Sequence, residues 1–395
     1  MEDILIVTNY YPPEKGAAAN RIEQLALKLK QNDYNVSVLC PLPNYPKGAI
    51  FPGYKGRLFV KEEPEGIHVS RLWILPSISK NLIVRLLSTL SFSSFLFLYL
   101  LFAKTPKKVI IQSPPLLLSF ISVFVLSLKG KKIILNVSDL WPLAAIELGA
   151  LKAGTFSHKI SLYFERFIYK KATVILGQSE EIVSHVKQMF PNKDCHLYRN
   201  FPDHQLEGFE IKNNTDKPKI QLFYAGLLGV AQGVLEVCEK MDIAHLDFEF
   251  HIFGDGAEKS QIESYIKQHP EKNIIFHGML ERQELLSRLE SFDVALVPLK
   301  TRIYGSVPSK IFEYSAIGIP ILYFGGGEGE TIVHENNLGW VVPVEDFENL
   351  NTILKTISEK GKADIQLRKE HVYKQSSNYF NLDFQIGNLI KKSVF

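Results

Sequence analysis

Short apolar runs alternate with amphipathic stretches along almost the whole chain. Ile4-Leu5-Ile6-Val7 predicts a short buried strand, followed by a loop from Asn9 to Gly16 and a helix over about 19–31. Val36-Ser37-Val38-Leu39 predicts the next strand, and residues 41–57, with several Pro and Gly, predict a long loop. Val109-Ile110-Ile111, Ile133-Ile134-Leu135 and Val174-Ile175-Leu176 continue the series. A polar, charged stretch from Asp203 to Pro218 reads as a linker. A second series then runs through 220–224, 248–253, 274–276, 294–297 and 321–324. Strands alternating with helices predict an α/β chain of two doubly wound sheets. Such sheets bind ligands at the carboxyl ends of their strands, and two side by side enclose a cleft.

Two runs depart from this rhythm. Residues 82–103 are apolar or serine apart from Arg85 and Thr89, long enough to consider a membrane span; residues 116–128 are too short for one. Each precedes a strand of the series, which argues for helices of the first domain. The first run is still too apolar for a helix with a fully wet face. Lys104, Lys107 and Lys108 follow it, and Lys129, Lys131 and Lys132 follow the second. That arrangement fits a helix in the membrane interface with lysines at the head groups, against an ordinary core helix or a true span.

At 395 residues and 46% hydrophobic, the chain has the material for two cores. Cys40, Cys195 and Cys238 are widely spaced, so no disulfide or zinc framework is expected, which fits a reducing cytosol. The start, Met1-Glu2-Asp3 and then an apolar strand, does not read as a signal peptide. Residues 1–200 hold 25 Lys and Arg against 14 Asp and Glu, a net +11; the rest hold 20 against 28, a net −8. A basic first half points to a phosphate-bearing partner there, an anionic membrane or a lipid pyrophosphate. Nucleic acid is disfavoured, since no recognition motif accompanies the charge.

The densest chemistry lies at residues 305–320. Pro308 and Ser309 mark a helix start, with the serine placed to cap free N–H groups. Lys310 adds a cation to the positive end of the helix, which makes an anion site. Glu313 shares that face one turn on, where ribose hydroxyls would give a carboxylate its purpose. Gly318 and Pro320 end the helix. Upstream, the loop from Pro12 through Gly16 and Asn20 to Arg21 has small residues that let backbone N–H groups approach a phosphate or sugar. Asp139, in Asn136-Val137-Ser138-Asp139-Leu140-Trp141-Pro142, follows a buried strand and is placed for catalysis or acceptor binding, or else as a helix N-cap. Gly226 and Gly229 follow the first strand of the second series, Gly254-Asp255-Gly256 another, and Gly325 to Thr331 a third. In the last, dense glycine before a helix makes an amide nest, and Glu330 could accept from sugar hydroxyls. No Gly-x-Gly-x-x-Gly occupies the first strand–helix turn, so NAD chemistry is disfavoured, and the histidines show no metal-ligand spacing.

The 305–320 segment resembles the signature of family-four retaining glycosyltransferases of the GT-B fold, a Glu-x7-Glu element closing on a glycine–proline pair. The second Glu falls on Glu313, which the resemblance casts as the ribose ligand of a sugar nucleotide; the first position is held by Gly305. Pro-Ser-Lys and Asp-Leu-Trp-Pro are similar to the branch that makes bacterial surface polysaccharides. The N-terminal loop resembles the family's Gly-Gly loop, with Gly16 followed by alanines and Arg21 expected to face the cleft. Leu227 and Gln232 stand where relatives often place Arg and Lys.

The resemblance implies a GT-B glycosyltransferase with a nucleotide-binding domain over 203–372. The acceptor-side domain spans 1–202, and 373–395 cross back to it. It further implies a nucleotide diphosphate sugar as donor, an N-acetylated amino sugar such as N-acetyl-L-fucosamine, retention, and neither cofactor nor metal. The acceptor would be a lipid-pyrophosphate-linked glycan at the cytoplasmic membrane face, with the protein peripheral there. Asp139 and Lys310 are then the expected catalytic residues. Glu313, Ser309, Gly226, Gly229, Gly254, Asp255, Gly256, Gly329, Glu330 and Thr331 would hold the donor, and Gly16, Asn20 and Arg21 the acceptor or its phosphate. A sugar-nucleotide 2-epimerase of the same fold and an inactive membrane-associated scaffold are the rival readings.

Overall fold

The computed structural model describes residues 1–77, 79, 82–202 and 217–395. Most of the expected linker, 203–216, lies outside the described residues. By internal packing the chain divides into two units, one of residues 1–200, 303–306 and 383–395, the other of 201–302 and 307–382.

The first unit runs β1 (Glu2–Val7), α1 (Ala17–Gln31), β2 (Tyr34–Pro41), β3 (Phe59–Glu62), β4 (His68–Leu72), α2 (Leu82–Phe102), β5 (Lys108–Ser113) and α3 (Leu116–Leu128). It continues through β6 (Lys132–Val137), α4 (Leu143–Glu147), α5 (Phe156–Lys171), β7 (Val174–Gly177), α6 (Glu180–Met189) and β8 (Asp194–Leu197). The strands form one sheet in the order β3-β4-β2-β1-β5-β6-β7-β8. All neighbours are parallel except the β3–β4 pair at the edge. The central strands are buried on both faces, as their unbroken apolar runs require. Phe92, Leu96 and Leu100 of α2 join Val123 and Leu126 of α3 in the core under this sheet. α2 is therefore a core helix on one face. Among the described residues no helix is long and apolar enough to cross a membrane.

Most of the lysines after the two apolar runs do not reach outward as expected. Lys129 Nζ donates to Ala103 O (3.0 Å) and Lys131 Nζ to Thr105 O (2.6 Å), satisfying carbonyls just past the end of α2. Lys132 Nζ donates to Ser393 O (2.7 Å), and Lys108 holds both Glu2 and Phe395 O. Lys104 and Lys107 stay exposed. The C-terminal residues 383–395 are fixed to the same unit by Lys28–Asp383 (2.7 Å) and by Gln385 Oε1, which accepts from Arg199 N (2.9 Å).

The second unit contains β9 (Ile220–Leu227), α7 (Val234–Lys240), β10 (Phe248–Asp255), α8 (Lys259–Gln268), β11 (Ile274–Gly278), α9 (Arg282–Leu289) and β12 (Val294–Pro298). It continues with α10 (Lys310–Ala316), β13 (Ile321–Phe324), α11 (Glu328–Glu335), β14 (Gly339–Val342) and α12 (Phe347–Tyr379); α13 (Leu382–Lys391) leads back to the first unit. Its sheet, β11-β10-β9-β12-β13-β14, is parallel throughout. α12 breaks at Gly361, whose φ of 70° suits glycine. Buried Asp293 ties α12 to the sheet: Lys369 and Lys362 each lie 3.3 Å from it, and Gln221 N donates to it at 2.8 Å.

On β10 and β11, His251 Nδ1 and His277 Nε2 lie 2.9 Å apart, their rings stacked beside Phe253 and Phe292. Burial pushes His251 down to about 4, with His277 adding to the effect and Glu249 opposing it; burial also lowers His277. A depressed histidine lets the unfolded chain bind its proton first. Stability is therefore intact above pH 6.5 and is lost as pH falls toward 4. The apparent Tm is expected to drop by about 5 °C over that window, and less in His251→Leu. A Tm profile identical in wild type and variant would contradict this.

Candidate functional site

In the second unit the candidate residues collect at the carboxyl ends of parallel strands. The register sets Gly254 beside Gly226 and Asp255 beside Leu227. A Cβ on Gly254 would come within 1.9 Å of Gly226 O, and one on Gly256 within 2.3 Å of Leu228 O, so both glycines are sterically required. Leu228 N donates to Asp255 O at 2.9 Å, locking the two turns together.

α10 rises beside these turns. Ser309 occupies its N-cap position, but with helical dihedrals (φ −59°, ψ −23°) its side chain caps nothing, contrary to expectation. A hydroxyl can reach the N2 or N3 amide only from an extended N-cap. α10 is only seven residues long, so its cation counts for more than its dipole. Lys310 Nζ reaches across to donate to Ala225 O at the end of β9. Tyr314 OH donates to the same carbonyl at 3.3 Å, and Tyr224 OH donates to Leu227 O at 2.6 Å. A Cβ on Gly226 would sit 2.7 Å from Lys310 Nζ, so the ammonium lies directly over that glycine. Burial lowers the Lys310 pKa and nearby Glu313 opposes the shift. A desolvated ammonium facing a carbonyl is stabilised by any anionic oxygen that enters. Glu313 itself is half-exposed, 3.8 Å from Arg282.

The third glycine segment lies after β13. A Cβ on Gly329 would strike Tyr323 OH at 2.5 Å, and that hydroxyl donates to Gly326 O at 3.0 Å. Gly327 has φ 80°, and its Cβ position is 2.6 Å from Arg302 Nε. The guanidinium thus lies over the glycine turn that opens α11. Glu330 is half-buried within 3.9 Å of the Gly326 Cβ position, and Thr331 is exposed. Arg302, Arg282, Tyr224 and Tyr314 were not legible as site residues. Arg302 stands apart in sequence from the turn it covers.

In the first unit, Asp139 follows β6 and is half-buried. The N-cap of α4 is Pro142 and has no side-chain cap, so Asp139 does not serve the helix as a cap. Its carboxylate makes no hydrogen bond among the described residues. Burial raises its pKa and Arg21 opposes the shift. Arg21 itself is a correction. It is buried, donating to Ser138 Oγ (2.8 Å), Gln178 Oε1 (2.5 Å), Asn136 Oδ1 (3.1 Å) and Tyr198 O (3.0 Å). Four acceptors tie the guanidinium into the fold near Asp139 instead of leaving it exposed. Gly16 precedes α1 with φ 153°, and its O accepts from Asn20 N at 3.0 Å. Glu14, unflagged in the sequence, is buried. Its Oε1 accepts from Asn44 N and Tyr45 N, both at 2.8 Å, so the 12–16 loop and the 41–57 loop are pinned together.

Gly305 belongs with the first unit. Its N–H donates to Glu181 Oε2 and its carbonyl accepts from Ser179 Oγ, both at 2.7 Å. With φ 87°, a Cβ there would meet Ile182 Cγ1 at 3.0 Å and Leu140 Cδ1 at 3.2 Å.

Two Rossmann-like units with loops gathered at strand carboxyl ends define a GT-B protein. Anabaena HepE in complex with UDP superposes with a TM-score of 0.68 at 13% identity, over 99% of this chain and 100% of that one. Residues 219–359 match the family described as glycosyl transferases group 1. That match lies almost wholly within the second unit, and the chain has the fold of GT-B glycosyltransferases. It is 26% identical over 268 residues to "Probable glycosyltransferase WbjE" of Pseudomonas aeruginosa, covering 64% of this chain and 67% of that one. It is 27% identical over 142 residues to "Amylovoran biosynthesis glycosyltransferase AmsK" of Erwinia amylovora, covering 35% of this chain and 34% of the relative.

Proposed function

We propose that the protein moves a sugar from a nucleoside diphosphate sugar to a hydroxyl of a lipid-pyrophosphate-linked glycan, in the assembly of a bacterial surface polysaccharide. The observation that supports this best is Glu313 one turn into α10 beside Lys310, whose ammonium lies over Gly226 at the end of β9. In this reading Glu313 accepts hydrogen bonds from the ribose, while Lys310 and the glycine turns take the diphosphate. Arg302 over Gly327 supplies a cation that the β9 loop, with Leu227 and Gln232, lacks. Those cations stabilise the departing diphosphate, so the reaction is read as needing no metal. Asp139 orients the acceptor hydroxyl and takes its proton. Retention and an N-acetylated amino sugar donor complete the proposal, and the likeness to the amylovoran enzyme supports a polysaccharide role. A lipid-linked acceptor places the work at the cytoplasmic membrane face.

The test is calorimetric titration of the full chain with UDP, GDP and dTDP, then with the 2′,3′-dideoxy form of whichever binds. Glu313→Ala is expected to weaken the ribose form about 10–100-fold, since a hydrogen bond to a charge contributes about 1.5–3 kcal/mol. The dideoxy form should bind wild type and variant alike. Equal losses for both ligands would sink the ribose assignment, and no binding of any nucleotide would sink the donor site.

A further inference from the structure

The outer surface of the first unit carries large apolar side chains that its core does not use. α2, α3 and α5 lie side by side, with α3 touching both neighbours. Phe102 at the end of α2 is 81% exposed and Leu128 at the end of α3 is 74% exposed. On α5, Phe156 and Tyr163 are 78% and 63% exposed. The spacing of Phe156, Ile160, Tyr163 and Phe167 sets them in one stripe along that helix. Phe164 and Phe167 have ring centroids 4.0 and 5.0 Å from Phe120 of α3, so the stripe is continuous with the neighbouring helix. Single exposed apolar residues are ordinary, but a contiguous band across three helices marks an interaction surface.

The charge around the band says what covers it. α2 and α3 contain no acidic residue. α5 contains one, Glu165, which is buried and 3.0 Å from His185. Lys104, Lys107, Lys159, Lys170 and Lys171 are exposed around the band. Two copies meeting through this face would bring like charges together. Anionic lipid head groups supply the opposite charge, and the acyl boundary beneath them takes the aromatic and leucine side chains.

We propose that the outer face of α2, α3 and α5 docks on an anionic phospholipid bilayer, with the helices lying in the head-group region. The proposal extends the reading above, whose lipid-linked acceptor gives docking its purpose, while its physical case is independent of the donor site. α5 is the part that hydropathy did not reveal. Its apolar stripe alternates with charged positions and never forms a long apolar run. Four of the lysines that hydropathy did mark, Lys108, Lys129, Lys131 and Lys132, are committed to other groups, so the cations facing lipid are a different set.

The test is flotation of the purified full chain with phosphatidylcholine–phosphatidylglycerol vesicles and with pure phosphatidylcholine vesicles. Partition is expected to be at least about tenfold greater on the anionic vesicles. Combining Phe102→Ser, Phe156→Ser and Tyr163→Ser should lower it at least about tenfold. Because these side chains are mostly exposed, with the Tyr163 ring beside Phe120, Phe164 and Phe167, Tm should fall by no more than a few degrees, and Leu367→Ser, exposed on α12 of the second unit, should float like wild type. Absence of flotation by wild type, equal binding to both vesicles, or an unaffected triple variant each overturns the proposal. Self-association removed by the triple variant, without vesicle binding, assigns the face to a second copy instead. Nucleotide titration of the same preparations separates the two readings: flotation without nucleotide binding sinks only the donor site.

Discussion

Asp139→Asn is expected to lower kcat about 100-fold or more while leaving the Kd for the nucleotide near its wild-type value. Loss of a positioned general base typically removes a factor of that size. The side chain makes no hydrogen bond that the fold would miss, and it is not the cap of α4. Asparagine fits the same space without the charge, so Tm should stay within a few degrees. Burial raises the carboxyl pKa, partly offset by Arg21, and a base must be ionised to accept a proton. Wild-type activity should therefore fall on acidification at a higher pH than an ordinary aspartate would give. A variant with unchanged kcat, or one that loses nucleotide affinity in step with turnover, would remove Asp139 from the acceptor role. Steady-state kinetics with calorimetry on the same protein decides between these outcomes.

The two sheets were legible because their central strands are buried on both faces and read as unbroken apolar runs, such as Ile4–Val7 and Val294–Val297. The edge strands were not. β3 and β8 carry exposed and half-buried positions, and their short mixed sequences resemble loops. Within the site, Glu313, Lys310 and the glycine turns stood out because residue type and spacing carry their chemistry locally. Arg21 misled for the opposite reason. An arginine at a strand–helix loop looks like a ligand group until Ser138, Gln178, Asn136 and the Tyr198 carbonyl, all distant in sequence, supply its four acceptors. Ser309 misled through dihedral angle alone, which no residue type announces. Arg302 and Glu14 were invisible because each acts on a backbone segment well removed from it along the chain.

Placing an acid at the first signature position, by Gly305→Glu, is expected to destabilise the protein by about 2–5 kcal/mol and to give no gain in transfer. Positive φ costs a side chain about 1–2 kcal/mol, and overpacking a tight site adds about 1–3 kcal/mol. The Cβ would enter at 3.0 Å from Ile182 Cγ1 and 3.2 Å from Leu140 Cδ1, and both neighbours are core side chains with little room to retreat. The new carboxylate would also crowd Glu181, which accepts the Gly305 N–H, and would loosen the bond from Ser179. Gly305→Ala separates the two effects: it keeps the backbone and Cβ costs and adds no charge, so it should fall between wild type and the glutamate variant in thermal unfolding. A Gly305→Glu protein with wild-type Tm and faster transfer would show that the position merely lost its acid. The observed geometry argues otherwise. Here Ile182 and Leu140 fill the space a side chain would need, and the backbone holds a conformation that glycine alone adopts easily. The glycine is thus built into the first unit, and the proposed donor site would draw its cations from Arg302 and Lys310.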